Sequence, residues 1–148
     1  MTINSPIESP HPVDVEFGFK KLNKRQQRIL DLLPSVGSQT TVSKKSVSMF
    51  DLSAMTASTD NEFAMFTKGS KRLIIRGGVT TTTIDVKTAE KILREGYKWS
   101  GHTHVGRKKA DLTPSGKYGD MDVLKFLNQN RSLIYNSVGD FEVFYLKD

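Results

Sequence analysis

Between Asn61 and His104 the sequence switches twice between strand-like and helix-like periodicity, and few folds accommodate that order. Glu62-Phe-Ala-Met-Phe66 and Lys71-Arg-Leu-Ile-Ile-Arg76 are two β-rich runs around a Lys-Gly-Ser turn, the pattern of a hairpin. Val79-Thr-Thr-Thr-Thr-Ile84 is β-branched enough to predict a third strand. Asp85 then predicts the cap of a helix in which Val86, Ala89, Ile92 and Leu93 share a face and which Gly96 stops. Tyr97-Lys-Trp-Ser-Gly-His-Thr-His104 returns to a strand. Upstream, Asn23 caps a helix whose apolar stripe, Ile29, Leu30, Leu32 and Leu33, ends at Pro34. Thr40-Thr-Val-Ser43 predicts a short strand, and Asp51 the cap of a short helix containing Leu52 and Met55. Downstream, a polar loop over 105–119 leads to a helix from Asp120. Segments 132–136 and 141–145 then form a closing hairpin through Gly139-Asp140. Strands interleaved with helices imply an α/β domain built on one mixed, curved β-sheet flanked by helices.

Residues 1–21 are punctuated by Pro6, Pro10 and Pro12 and carry little periodic pattern, so they read as a flexible proline-rich leader or linker. Residues 22–148 read as the folded domain, long enough to bury a core without covalent staples. The chain has no cysteine, which excludes disulfides, thiolate metal sites and thiol nucleophiles. Any zinc must be held by nitrogen and oxygen, a donor set that favours catalytic over structural sites. No apolar run approaches the ~18 residues of a membrane span, and the amino terminus lacks the basic-then-apolar pattern of a secretory signal. The net charge of +6 comes from scattered pairs such as Lys20-Lys21, Lys44-Lys45 and Lys71-Arg72, and from Arg107-Lys108-Lys109. That distribution reads first as a solvated surface. An acidic partner or nucleic acid is the alternative.

Two of the three histidines stand one residue apart on the strand ending at His104. In an extended strand residues i and i+2 project to one face, so His102 and His104 lie side by side. Two neutral imidazoles so held suit one zinc or iron ion. A carboxylate from Asp120 or Asp122 would be a third ligand and leave a fourth position open to water, which is the plan of a hydrolytic centre.

With these residues on the page, the chain resembles the JAMM (JAB/MPN) zinc metalloproteases, whose signature is a glutamate near an early strand, then His-x-His, then Ser-x-x-Asp opening a helix. The matching positions are Glu62, His102 with His104, Ser115 and Asp120. In detail it is similar to the JAMM-like carboxy-terminal domains of bacterial polymorphic toxins. The phrases that carry this are Asn61-Glu-Phe-Ala-Met-Phe66, Arg72-Leu-Ile-Ile-Arg-Gly77, Trp99-Ser-Gly-His-Thr-His104, and Asn128-Gln129 leading into Ser132-Leu-Ile-Tyr-Asn-Ser137. The likeness covers roughly residues 22 to 146. Two departures stand out. Val105 replaces the usual proline after the second histidine, and Ser115-Gly-Lys-Tyr-Gly-Asp120 is two residues longer than the family's spacing. Either the loop bulges while Ser115 keeps its role, or Lys117 takes the serine position.

The resemblance implies a JAMM/MPN-like, cytidine-deaminase-like architecture and zinc (Zn2+) held by His102, His104 and Asp120. It implies Glu62 as general base and acid, with Asp60 its nearby alternative, and Ser115 as donor to the oxyanion. The bond cut would be an amide, often an isopeptide linking a ubiquitin-like tail to lysine, in a protein or peptide substrate. An immunity protein would be the partner of a toxin, and the chain would act in the bacterial cytoplasm or be exported within an effector. Two other readings compete: a JAMM-like binding module without activity, and a nucleic-acid-directed metal hydrolase.

Overall fold

In the computed structural model, residues 1–3, 21–115 and 119–147 are described. Most of the expected leader, residues 4–20, and Lys117 lie outside the described residues. The main sheet has six strands: β2 (Gln39–Ser43), β3 (Phe63–Lys68), β4 (Lys71–Arg76), β6 (Lys98–Thr103), β7 (Arg131–Tyr135) and β8 (Phe141–Tyr145). Their order is β2-β4-β3-β6-β7-β8. Every pairing is antiparallel except β6 with β7, so the sheet is mixed. The α/β class and the single mixed sheet flanked by helices are as the sequence implies.

β3 shows why both faces need cover. Phe63 and Met65 join a core with Ile29, Leu33, Leu52, Met55 and Ile74, beneath α1 (Lys24–Asp31) and α2 (Met49–Thr59). Ala64 and Phe66 join a second core with Ile75, Ala89, Ile92, Trp99, Leu124 and Phe144, beneath α3 (Val86–Glu95) and α4 (Asp120–Phe126). A strand buried on both faces reads as a continuous apolar run, and Phe-Ala-Met-Phe is one.

Helix boundaries follow from their caps. Asn23 closes a capping box with Gln26, and Asp85 accepts from Thr88 N–H. Gly96 ends α3 in the left-handed region at φ 82°, where a side chain would be strained. Asp51 is not the cap of α2. Ser48 is, and Asp51 sits three residues on, receiving Ser48 N–H at 2.8 Å and a two-pronged Arg25 at 2.5 and 2.8 Å. Those contacts bolt α1 onto α2.

Two expectations change. The threonine-rich run does not add a strand to the sheet: only β5 (Thr83–Ile84) is extended, and it pairs with β1 (Thr2–Ile3) in a separate parallel ladder. The chain's first residues accordingly belong to the folded unit, with Met1 only 2 % exposed in the α3/α4 core. No described helix is long and apolar enough to cross a membrane.

Candidate metal centre

The histidine strand is shaped by one irregularity. Along β3, Ala64, Met65 and Phe66 face His102, Gly101 and Trp99, so the pairing slips between Met65 and Phe66 and Ser100 is the extra residue. Ala64 and Phe66 share a face, and their partners His102 and Trp99 therefore share it too, although three residues separate them. The rings stack at 4.9 Å between centroids. Thr103 points to the opposite face, where its hydroxyl accepts from Phe63 N–H at 2.9 Å and meets the Thr56 hydroxyl of α2 at 2.5 Å. Gly101 is needed at this crossing. A Cβ there would stand 3.0 Å from both the Leu133 carbonyl oxygen and Met49 Sδ. Gln129 completes the frame: its side chain accepts from Trp99 N–H at 3.0 Å and donates to Trp99 C=O at 2.7 Å, replacing a strand neighbour with an amide.

His102 and His104 then converge as the i, i+2 spacing requires. Their Nε2 atoms are 2.9 Å apart, and Asp120 Oδ2 lies 3.2 Å from the first and 3.5 Å from the second. Tetrahedral zinc with bonds of about 2.0–2.1 Å needs neighbouring donors about 3.3–3.4 Å apart. The triangle of 2.9, 3.2 and 3.5 Å fits that shell with shifts of a few tenths of an ångström. Nδ1 of His104 donates to the Asp111 carbonyl oxygen at 2.8 Å, which fixes the tautomer and turns the Nε2 lone pair inward.

Glu62 stands beside them, its carboxylate within 4.8 Å of both histidine donors, so Glu62, His102 and His104 form a group able to hold a metal ion. Asp120 Oδ2 is nearer to both imidazoles, and that proximity assigns Asp120 the ligand role and leaves Glu62 for proton transfer. The electrostatics agree. Burial raises the Glu62 pKa above 4.5, although the Met1 ammonium and His104 pull the other way. Burial pushes His102 down to about 3, so it is neutral and ready to ligate. Asp120 is held well below 3.8: burial opposes this, but the imidazoles and the Met1 ammonium outweigh it.

Glu62 precedes β3 and is held by the loop that the threonine run forms. Its N–H donates to Gly78 C=O and its C=O accepts from Gly77 N–H, both at 2.7 Å. Gly78 N–H in turn bonds Thr81 C=O at 2.8 Å, which folds the loop back so that the Thr82 hydroxyl reaches Glu62 Oε1 at 3.4 Å. A Cβ on Gly77 would meet Thr82 Oγ1 at 2.3 Å and Thr82 Cα at 2.6 Å. Gly77→Ala is thus expected to cost ~1–3 kcal/mol through overpacking, read as a lower urea midpoint. An unchanged midpoint would show that the loop is not seated on Glu62.

Asp120 and Ser115 hold one another. Ser115 N–H donates to Asp120 Oδ2 at 2.9 Å, and Asp120 N–H donates to Ser115 Oγ at 2.7 Å. Ser115 thus reaches the site despite the longer spacing, and a hydroxyl that accepts still has one proton to give. Asp120 begins α4 but does not cap it: Gly119 occupies that position. Asp60 ends α2 in the left-handed region at φ 58°. It is Glu62 that enters the cluster.

No family model, curated protein or solved structure matches this chain. Its chemistry is argued from its own atoms. Sequence reasoning had placed Glu62, His102, His104, Ser115 and Asp120, and the fold brings all five to one end of β6. It missed Thr82, the Asp111 carbonyl and the amino group of Met1, which is buried against Asp120 with Glu62 Oε1 3.8 Å away. The Gly77-Gly78 pair ahead of four threonines was the signal for Thr82. A backbone carbonyl and a terminal amine leave no trace in residue type.

Proposed function

We propose that this chain is a zinc-dependent peptidase or isopeptidase of JAMM type. The observation that carries the reading is the compact triangle of His102 Nε2, His104 Nε2 and Asp120 Oδ2, with the buried Glu62 carboxylate alongside. The order Glu62, His102, His104, Ser115, Asp120 supports the family assignment, and delivery within a bacterial toxin or effector is part of the same proposal.

Zinc held by those three donors supplies Lewis acidity and a water deprotonated near neutral pH. Glu62 takes the proton from the attacking water and passes it to the leaving amine, and its raised pKa suits both directions. Thr82 keeps the Glu62 carboxylate oriented. Ser115 donates its hydroxyl proton to the oxygen that gains charge as the amide becomes tetrahedral, a contact worth ~3 kcal/mol when pre-positioned.

The test is hydrolysis of a peptide library and of ubiquitin chains by wild type and Glu62→Gln, each loaded with zinc. The glutamine variant should bind zinc and cleave nothing. Cleavage by both, or by neither at full zinc occupancy, removes the peptidase reading.

Zinc affinity should also fall with pH. Burial lowers the His104 pKa, but the Asp120 hydrogen bond and the nearby Glu62 charge more than offset it and leave it above 6.5. Zinc must displace that proton, so below the raised pKa affinity should drop about tenfold per pH unit. A titration with a chromogenic competitor reads this directly, and an affinity flat below neutral pH would contradict it.

A further inference from the structure

The Met1 amino group rests where the site's donors converge. It is buried, hydrogen-bonded to Asp120 Oδ1, and 3.8 Å from Glu62 Oε1. Behind it, Thr2 and Ile3 run parallel to β5 in the register Thr2↔Thr83 and Ile3↔Ile84. The Met1 side chain lies in the core that includes Ile84, Val123 and Leu124. Three different interactions thus hold one short segment: charge on a carboxylate, main-chain pairing, and apolar burial. Together they recognise an amine, an extended backbone and a large apolar first side chain, which are the marks of a peptide's amino end.

We infer that this site binds the amino end of an extended peptide in competition with zinc, and that in this chain Met1–Ile3 is the bound peptide. The competition is electrostatic. Asp120 offers Oδ2 to the histidines and Oδ1 to the ammonium, so an ammonium and a dication would share one carboxylate out of reach of water, where like charges repel strongly. The inference rests on the zinc reading and extends it to substrate class. A linear peptide cut here leaves its new amine beside Glu62, so β5 and the Met1 pocket become the subsite for an apolar residue following the cleaved bond.

The experiment is amine footprinting of the full chain, with intact mass first showing that Met1 is present. Acetylation of the Met1 amine by an N-hydroxysuccinimide ester is followed by mass spectrometry with and without zinc, against the free peptide Met-Thr-Ile-Asn. Zinc binding is measured separately by competition with a chromogenic chelator. Without zinc the amine should react at least about tenfold more slowly than the peptide, in proportion to the time it spends docked. Saturating zinc should release it and bring the rate toward that of the peptide. A chain with Gly-Ser ahead of Met1, left by tag cleavage, cannot seat its amine and should bind zinc at least about tenfold more tightly.

An amine that reacts like free peptide without zinc overturns the inference. So does an amine that stays protected when zinc is bound, or equal zinc affinity in the two chains. Failure of either chain to bind zinc at any concentration sinks the zinc reading instead, and protection in its absence still decides whether the amine docks.

Discussion

Chains with both His102 and His104 changed to alanine are expected to bind no zinc, where wild type purified without chelator or histidine tag carries about one ion per molecule. The effect is large because two of three donors disappear together, and one carboxylate cannot retain a transition metal against buffer. Neutral imidazoles whose Nε2 atoms are 2.9 Å apart cannot both present lone pairs to each other. A proton or a cation must lie between them, and burial leaves His102 unprotonated down to about pH 3. Elemental analysis after gel filtration is the measurement, with circular dichroism to confirm folding. Undiminished zinc in the double variant would place the ion elsewhere.

The second large effect is structural. Trp99 is 1 % exposed and touches three rings: Phe66 at 6.5 Å, His102 at 4.9 Å and Phe144 edge-on at 5.6 Å. Trp99→Ala should cost ~3–5 kcal/mol, as deletion of a buried aromatic does. With a urea dependence of roughly 1–3 kcal/mol per molar, the midpoint should fall by one molar or more. Trp99→Phe should be far milder, because the indole Nε1 is buried without a hydrogen-bond partner among the described residues and its removal relieves that cost. A loss below 1 kcal/mol in the alanine variant would mean that the core collapses into the space. The same variant should weaken zinc binding, since His102 loses the surface it stacks on.

Much of this was legible in the residues. Period-two runs around Lys-Gly-Ser became β3 and β4, and the caps Asn23 and Asp85 start α1 and α3. His-Thr-His is legible because strand geometry alone fixes where both rings point. What stayed hidden depended on partners distant in sequence. β-Branched threonines favour strands, but Thr81 and Thr82 are buried because Gly77-Gly78 folds them onto Glu62. Asp51 looked like a cap because short polar side chains serve that role. Ser48 took it once Arg25 and Gln26 claimed the Asp51 carboxylate. The stacking of Trp99 on His102 required a slip in register that no count along one strand reveals.

The reciprocal hydrogen bonds between Ser115 and Asp120 make a staple: each end of the intervening stretch grips the other. Once a loop is closed this way, lengthening it costs only closure entropy, about 0.6 kcal/mol for each doubling. What the site needs preserved is the staple and not the number of residues it spans. A pattern written as serine, a fixed gap, then aspartate measures contour along the chain, whereas the chemistry depends on distance through space. The same stretch is therefore a suitable place to graft an epitope or a reporter without disturbing the donors.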